Sequence, residues 1–191
     1  MIDSMQKAAR NDLAITLLFI AVVNVTVYQL TWVYAGPITA LCAIILTTMI
    51  IRRRGISWGD LGLRRPKSIW ITLGQTVVTF IGTGVVLYIA YQFAGLYFEK
   101  METTVSRFGD MEGNLPLYLW WVLLGWVCGG FFEEMLFRGF LLNRIETMFG
   151  QHWLSTTLAI VFQAAIFGLV HFYYQGAFGA VTIFAAACFI G

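Results

Sequence analysis

The sequence predicts an all-α fold, a polytopic bundle of transmembrane helices, and composition is the first of three observations that predict it. Hydrophobic residues make up 59% of the 191 residues and charged residues only 12%, whereas soluble domains have roughly 45–50% and about 25%. The mean hydropathy is +0.77. This composition excludes a disordered chain, a nucleic-acid-binding protein and a small disulfide-stapled domain.

The second observation is that the charged residues fall in blocks, which separate long apolar runs. A membrane-spanning helix needs about 20 mostly apolar residues. The first run, Leu13–Ile51, is long enough for two helices, divided at Gly36-Pro37. One helix each is expected in Ile69–Phe98, in Leu115 to about Leu142, and in Ser155–Tyr174. A further run, Gln175–Gly191, is shorter. We therefore expect five spans and a partial sixth, within a single membrane-embedded domain over residues 1–191.

The third observation is the distribution of lysine and arginine, which predicts an integral, multi-pass protein with a defined orientation. Residues 52–67 contain six basic residues and one acidic residue, and basic loops are retained in the cytoplasm. The N-terminus, with Lys7 and Arg10, lies two spans earlier and falls on the same side, while the acidic loop 99–112 falls outside. We expect a cytoplasmic N-terminus, the cell (plasma) membrane as location, and membrane lipids as partners.

Three charged residues stand inside the fourth apolar run, and these are the candidate site. They are Glu133, Glu134 and Arg138, and charges within a span are costly and point to function. Glu134 and Arg138 are four residues apart, so they share a helix face and can pair. Glu133 is rotated by about 100° from Glu134, which leaves its carboxylate free to act on a water. The remaining charges are assigned to loops and topology.

The fifth run supplies a histidine that can complete this site. Phe167 and His171 are four residues apart and share a face, and residue 152 lies midway between Glu133 and His171. If the two helices form an antiparallel hairpin that turns near residues 150–153, the acid and the histidine lie at the same depth. A glutamate can then take a proton from a water that the histidine holds, either directly or through a metal.

Two pairs of small residues predict close helix packing in the same part of the chain. Gly125 and Gly129 form one pair on the fourth run, and Ala164 and Gly168 form the other on the fifth. Small residues at this spacing allow another helix to approach closely in a membrane.

At these residues the sequence resembles a known family. Glu133-Glu134-Met135-Leu136-Phe137-Arg138, followed by Phe167-Gly168-Leu169-Val170-His171, is similar to the motifs of the CPBP intramembrane metalloproteases, which include CAAX prenyl proteases and bacteriocin-processing members. The segment Trp58–Pro66 resembles one that precedes the core helices of that family. The resemblance identifies residues 115–191 as a protease-like core.

The resemblance implies roles for the site residues. Glu133 and His171 would activate the water, Glu134 and Arg138 would support them, and the substrate would be a peptide or protein, prenylated in CAAX-type members. A divalent metal such as zinc is the implied cofactor, with Glu133 and His171 as ligands, although these residues cannot complete a zinc shell without a third protein ligand. The family has a later His-x-x-x-Asn/Asp motif, which does not follow His171. We therefore expect a core that is incomplete at its C-terminal end and a weak catalyst by itself.

The sequence thus predicts an intramembrane endopeptidase that cleaves a peptide bond near the cytoplasmic membrane face. The alternative is a non-catalytic membrane protein, of immunity or scaffold type, that keeps the motif for helix packing. A small transporter is disfavoured, because it would need ionisable groups in several spans, and Leu13–Ile51 and Ile69–Phe98 contain no charged residue.

Overall fold

The computed structural model describes residues 2–101, 109–150 and 152–191, and all regular structure among them is helical. Five helices are long and apolar enough to cross a membrane, which confirms the predicted all-α, multi-span fold. They are α1 (Ile2–Leu30), α2 (Ala35–Arg53), α3 (Ile69–Gly95), α4 (Leu115–Phe149) and α5 (Trp153–Ile190). Residues 102–108 of the predicted acidic loop and Gln151 of the predicted turn lie outside the described residues.

The break between the first two spans differs from the prediction by a few residues. Helix α1 ends at Leu30, a short 3-10 turn covers Trp32–Tyr34, and α2 already begins at Ala35. Gly36 and Pro37 therefore lie in the first turn of α2. Proline is tolerated there because the backbone N–H groups of a first turn have no partner within the helix.

The helices are distributed over two compact units. Unit 1 comprises Met1–Leu63 and Gly109–Thr156, and unit 2 comprises Arg64–Phe108 and Thr157–Gly191. In unit 1, α1 packs against α2 and against the last turns of α4, and α2 also packs against α4. The fully buried apolar side chains of this unit include Ile51, Phe140, Leu141 and Ile145.

A buried ion cluster joins α1, the end of α2 and the last turns of α4 in unit 1. Arg54 donates to the Asp12 carboxylate from Nε at 3.2 Å and from Nη2 at 2.8 Å, and Arg144 Nη1 lies 3.6 Å from the same carboxylate. Asp12 is only 3% exposed and Arg144 only 6%. The assignment of these two charges to loops and topology is therefore wrong, because both lie within helices and are buried. The N-terminal half of α1, the end of α2 and the last turns of α4 consequently lie on the same side of this unit.

Unit 2 contains α3 and most of α5, and α5 is broken at Gly176. Gly176 has φ 62° and ψ −165°, a conformation that glycine adopts readily and other residues rarely do. The arms on either side, residues 153–175 and 177–190, fold back on each other, since Gln163 Nε2 donates to the carbonyl of Ala187 at 3.4 Å. The second arm corresponds to the predicted partial sixth span.

The two predicted pairs of small residues have different outcomes. A Cβ at Gly168 would lie 2.7 Å from the carbonyl oxygen of Ala180, so the two arms of α5 approach closely at this glycine. In contrast, no described atom would lie within 4 Å of a Cβ at Gly125 or Gly129. The expected close approach of a helix at Gly125 and Gly129 is therefore not observed among the described residues.

Candidate active site

Helix α4 carries the predicted acidic residues at a change in its winding. Its N-terminus is capped by Asn114, whose side chain accepts from the N–H of Leu117 at 3.2 Å. Further along, Gly125–Phe132 and Met135–Leu141 are wound as π-helix, and Glu133 N–H donates to the carbonyl of Cys128, five residues earlier. Glu133 and Glu134 lie between the two segments. Such π-helical winding within α-helices is frequent at functional sites.

Glu134 and Arg138 form the ion pair expected from their spacing. Arg138 Nη1 lies 3.0 Å from Glu134 Oε1, with 13% of the arginine side chain exposed and 45% of the glutamate side chain. The guanidinium therefore lies against the carboxylate, and the charges of the pair balance.

Glu133 is half-buried and is placed differently from Glu134. Within residues 2–101, 109–150 and 152–191, no hydrogen bond or ion pair involves its carboxylate. An unpaired carboxylate can accept hydrogen bonds from a further partner. If that partner is a water, the carboxylate can take a proton from it.

A cavity of about 300 Å³ opens beside the ion pair. One wall is α4, with the Glu134–Arg138 pair, and the other is the loop of residues 57–63, which we call the Trp58 loop. The cavity is lined by Trp58, Leu61, Gly62, Leu63, Phe131, Glu134, Met135, Arg138 and Gly139. The sequence alone does not indicate that this loop belongs to the site, because its basic flanks are typical topology signals. Its resemblance to a segment that precedes a family core was the available signal.

His171 lies in unit 2 and has a defined ring orientation. Its Nδ1 is 2.8 Å from the carbonyl oxygen of Phe167, and the two rings pack edge to face with centroids 4.7 Å apart. The shared face of Phe167 and His171 is thus as expected. Because a carbonyl can only accept, Nδ1 carries a proton, and in the neutral imidazole Nε2 then keeps a lone pair. Glu133 belongs to unit 1, so the common depth of the acid and the histidine stays a prediction from the sequence.

The implied zinc ion requires three or more protein ligands in one place. Among the described parts of the chain, no group of three His, Cys, Asp or Glu side chains could hold a metal ion. The described residues therefore do not form a complete zinc site.

Comparison with known proteins gives a match to a protein family. No curated protein and no solved structure matches the chain. The model of the family described as "Type II CAAX prenyl endopeptidase Rce1-like" matches residues 115–191. The matched region contains α4 with its acidic pair and α5 with His171. It supports a CAAX-type intramembrane protease, a hydrolase of peptide or protein substrates in a membrane. The match supports the family that the motifs indicate, and over residues 115–191 the chain is similar to the Rce1-like type II CAAX prenyl endopeptidases.

Proposed function

We propose that the protein is an intramembrane endopeptidase that cleaves a peptide bond near the cytoplasmic membrane face. The observation that carries this proposal is the constellation on α4, where Glu133 stands unpaired beside a Glu134–Arg138 ion pair that lines a cavity. A structural ion pair alone would need neither a neighbouring free carboxylate nor an adjoining cavity. The family match over the same residues supports the same reaction class.

In the proposed reaction Glu133 acts as the general base. It takes a proton from a water, the water oxygen attacks the carbonyl carbon of the scissile bond, and the proton passes on to the departing amine. His171, through Nε2, holds the attacking water. Glu134 and Arg138 act as positioning residues that order the helix around Glu133.

We also propose a substrate type and a cofactor for this reaction. A prenylated substrate is what the description of the matched family suggests, and we extend it to this chain as a prediction. A zinc ion on Glu133 and His171 is a second prediction, and it requires a third ligand beyond those two residues.

The proposal is tested with the complete gene product, purified and reconstituted into lipid vesicles that contain membrane-tethered peptides. Glu133→Gln keeps the shape of the side chain but removes the base, so kcat should fall by about 10²–10⁴-fold. The matched control is Glu112→Gln, the same chemical change at an exposed residue before α4, and it should cleave as the unaltered protein does.

Two results would contradict the proposal. One is that the unaltered protein cleaves none of the tethered peptides, with or without a prenyl group. The other is that Glu133→Gln and His171→Ala both cleave at the unaltered rate. Either result favours the alternative of a non-catalytic membrane protein that keeps the motif for packing.

A further inference from the structure

The Trp58 loop has a conformation that its own side chains and backbone define. Ser57 donates to Asp60 Oδ2 from its backbone N–H at 2.9 Å and from Oγ at 2.7 Å, and the N–H of Asp60 donates back to Ser57 Oγ at 3.3 Å. The N–H of Leu63 donates to the carbonyl of Trp58 at 3.0 Å. Gly62 has φ +104°, which a side chain would disfavour. The loop therefore has a defined conformation and forms one wall of the cavity.

The indole of Trp58 is held from two helices of unit 1. Its Nε1 donates to Thr48 Oγ1 on α2 at 3.0 Å, and that hydroxyl donates in turn to the carbonyl of Ile44 at 2.6 Å. On α4, a Cβ at Gly139 would lie 3.6 Å from the indole ring. The ring thus packs against the residue that follows Arg138, and its position determines how much space remains beside the ion pair.

All but two of the side chains that line the cavity between the loop and α4 are apolar. Its polar element is the Glu134–Arg138 pair, whose charges balance. The remaining walls include the apolar side chains Trp58, Leu61, Leu63, Phe131 and Met135. A charged group entering it would lose water without gaining a counter-charge, whereas an apolar group would be desolvated favourably. Its volume of about 300 Å³ lies at the small end of ligand pockets, near 300–1,000 Å³.

We propose that this cavity receives one apolar side chain of the peptide substrate, and that Trp58 sets the size of the side chain accepted. The inference rests on the proposed endopeptidase function and adds a specificity-determining residue to it. Trp58 takes no part in the chemistry. It positions the wall against which the substrate side chain packs, next to the helix that carries Glu133.

The test uses opposite changes of cavity volume in the reconstituted complete gene product. The probes are membrane-tethered peptides that differ at single positions around the cleaved bond, where Ala, Leu, Phe or Asp is placed. Trp58→Ala enlarges the cavity, so the ratio of kcat/KM for Phe over Ala should rise on the order of tenfold at one position. Leu61→Trp fills the cavity and should shift the same ratio in the opposite direction. In the unaltered protein and in every variant, peptides with Asp at that position should have the lowest kcat/KM.

The control is Trp70→Ala, the same truncation at a tryptophan that is 82% exposed at the start of α3, and it should leave the ratio unchanged. Trp58→Phe keeps an aromatic wall and serves as a folded variant if Trp58→Ala fails to fold. A purely structural role of Trp58 would lower cleavage of all peptides equally, and that result overturns this inference while the endopeptidase function stands. If the unaltered protein cleaves no peptide, the proposed function fails instead.

Discussion

At the scale of single residues, the charged side chains that lie within helices are paired in two ways. Glu134 has its arginine within the same helix, four residues away, and so the pair could be expected from spacing. Asp12 finds its partners far along the chain, at Arg54 and Arg144. The hydrogen bond with Asp12 raises the pKa of Arg54 above its ordinary value, so this arginine stays charged under all ordinary conditions.

The Asp12 cluster gives a prediction about stability. Asp12→Asn removes the carboxylate charge and leaves Arg144 buried without a counter-ion, which should lower the free energy of unfolding by about 3 kcal/mol. Arg54 has 43% of its side chain exposed, so Arg54→Gln should cost about 1 kcal/mol or less. Chemical unfolding in detergent micelles measures both. Equal losses for the two variants would contradict a cluster built around the buried Asp12–Arg144 contact.

At the scale of elements, α5 shows how one glycine can divide a continuous apolar run. The composition from Ser155 onward does not change at Gly176, yet the chain reverses there because φ 62° is accessible to glycine. The two arms then pack through Gly168 and bury Gln163, which is fully inaccessible and donates to the opposite arm. Helices inside a membrane associate through small residues, which allow close approach, and through hydrogen bonds between polar side chains and the neighbouring helix.

This packing predicts opposite outcomes for two glycine substitutions. A Cβ at Gly168 would clash with the backbone oxygen of Ala180 at 2.7 Å, which cannot move without separating the arms. Gly168→Ala should therefore lower the free energy of unfolding by about 1–3 kcal/mol. Gly84, on α3, has open space around its Cβ position, so Gly84→Ala should be neutral or stabilise by up to about 1 kcal/mol. Unfolding of the two variants in the same detergent measures the difference, and a neutral Gly168→Ala would count against the close approach of the arms.

At the scale of the whole molecule, the chain is an integral membrane protein with five helices long and apolar enough to span a bilayer. The Asp12 cluster places the N-terminal half of α1, the end of α2 and the last turns of α4 on one side of unit 1. The positive-inside pattern predicts that this side is the cytoplasm.

That orientation is testable by labelling of introduced cysteines. In a background where Cys42, Cys128 and Cys188 are replaced by alanine, Lys67→Cys should react with a membrane-impermeant thiol reagent only after the cells are opened. Glu112→Cys, beyond one further span, should react in intact cells. The cysteine-free background is the control for non-specific labelling. The reverse pattern would show that the N-terminus lies outside.

Several features follow from the sequence alone because their physical causes are local. The length of apolar runs determines the number of spans, and the i,i+4 spacing determines that Glu134 meets Arg138 and that Phe167 shares a face with His171. The family motifs depend on the same local spacing, which explains why they indicate the family later matched over residues 115–191.

Other features were decided only by the tertiary structure, because their partners are distant in sequence. The burial of Asp12 against Arg54 and Arg144 depends on which helix ends meet, and no periodicity encodes that meeting. The Trp58 loop becomes a wall of the cavity beside Glu134 and Arg138 for the same reason. The sequence by itself thus determined the spans and the acidic motif, since hydrophobic length and helical spacing are local. Only the folded chain decided which loop confines the site and which charges are buried, since both arise from contacts between separate helices.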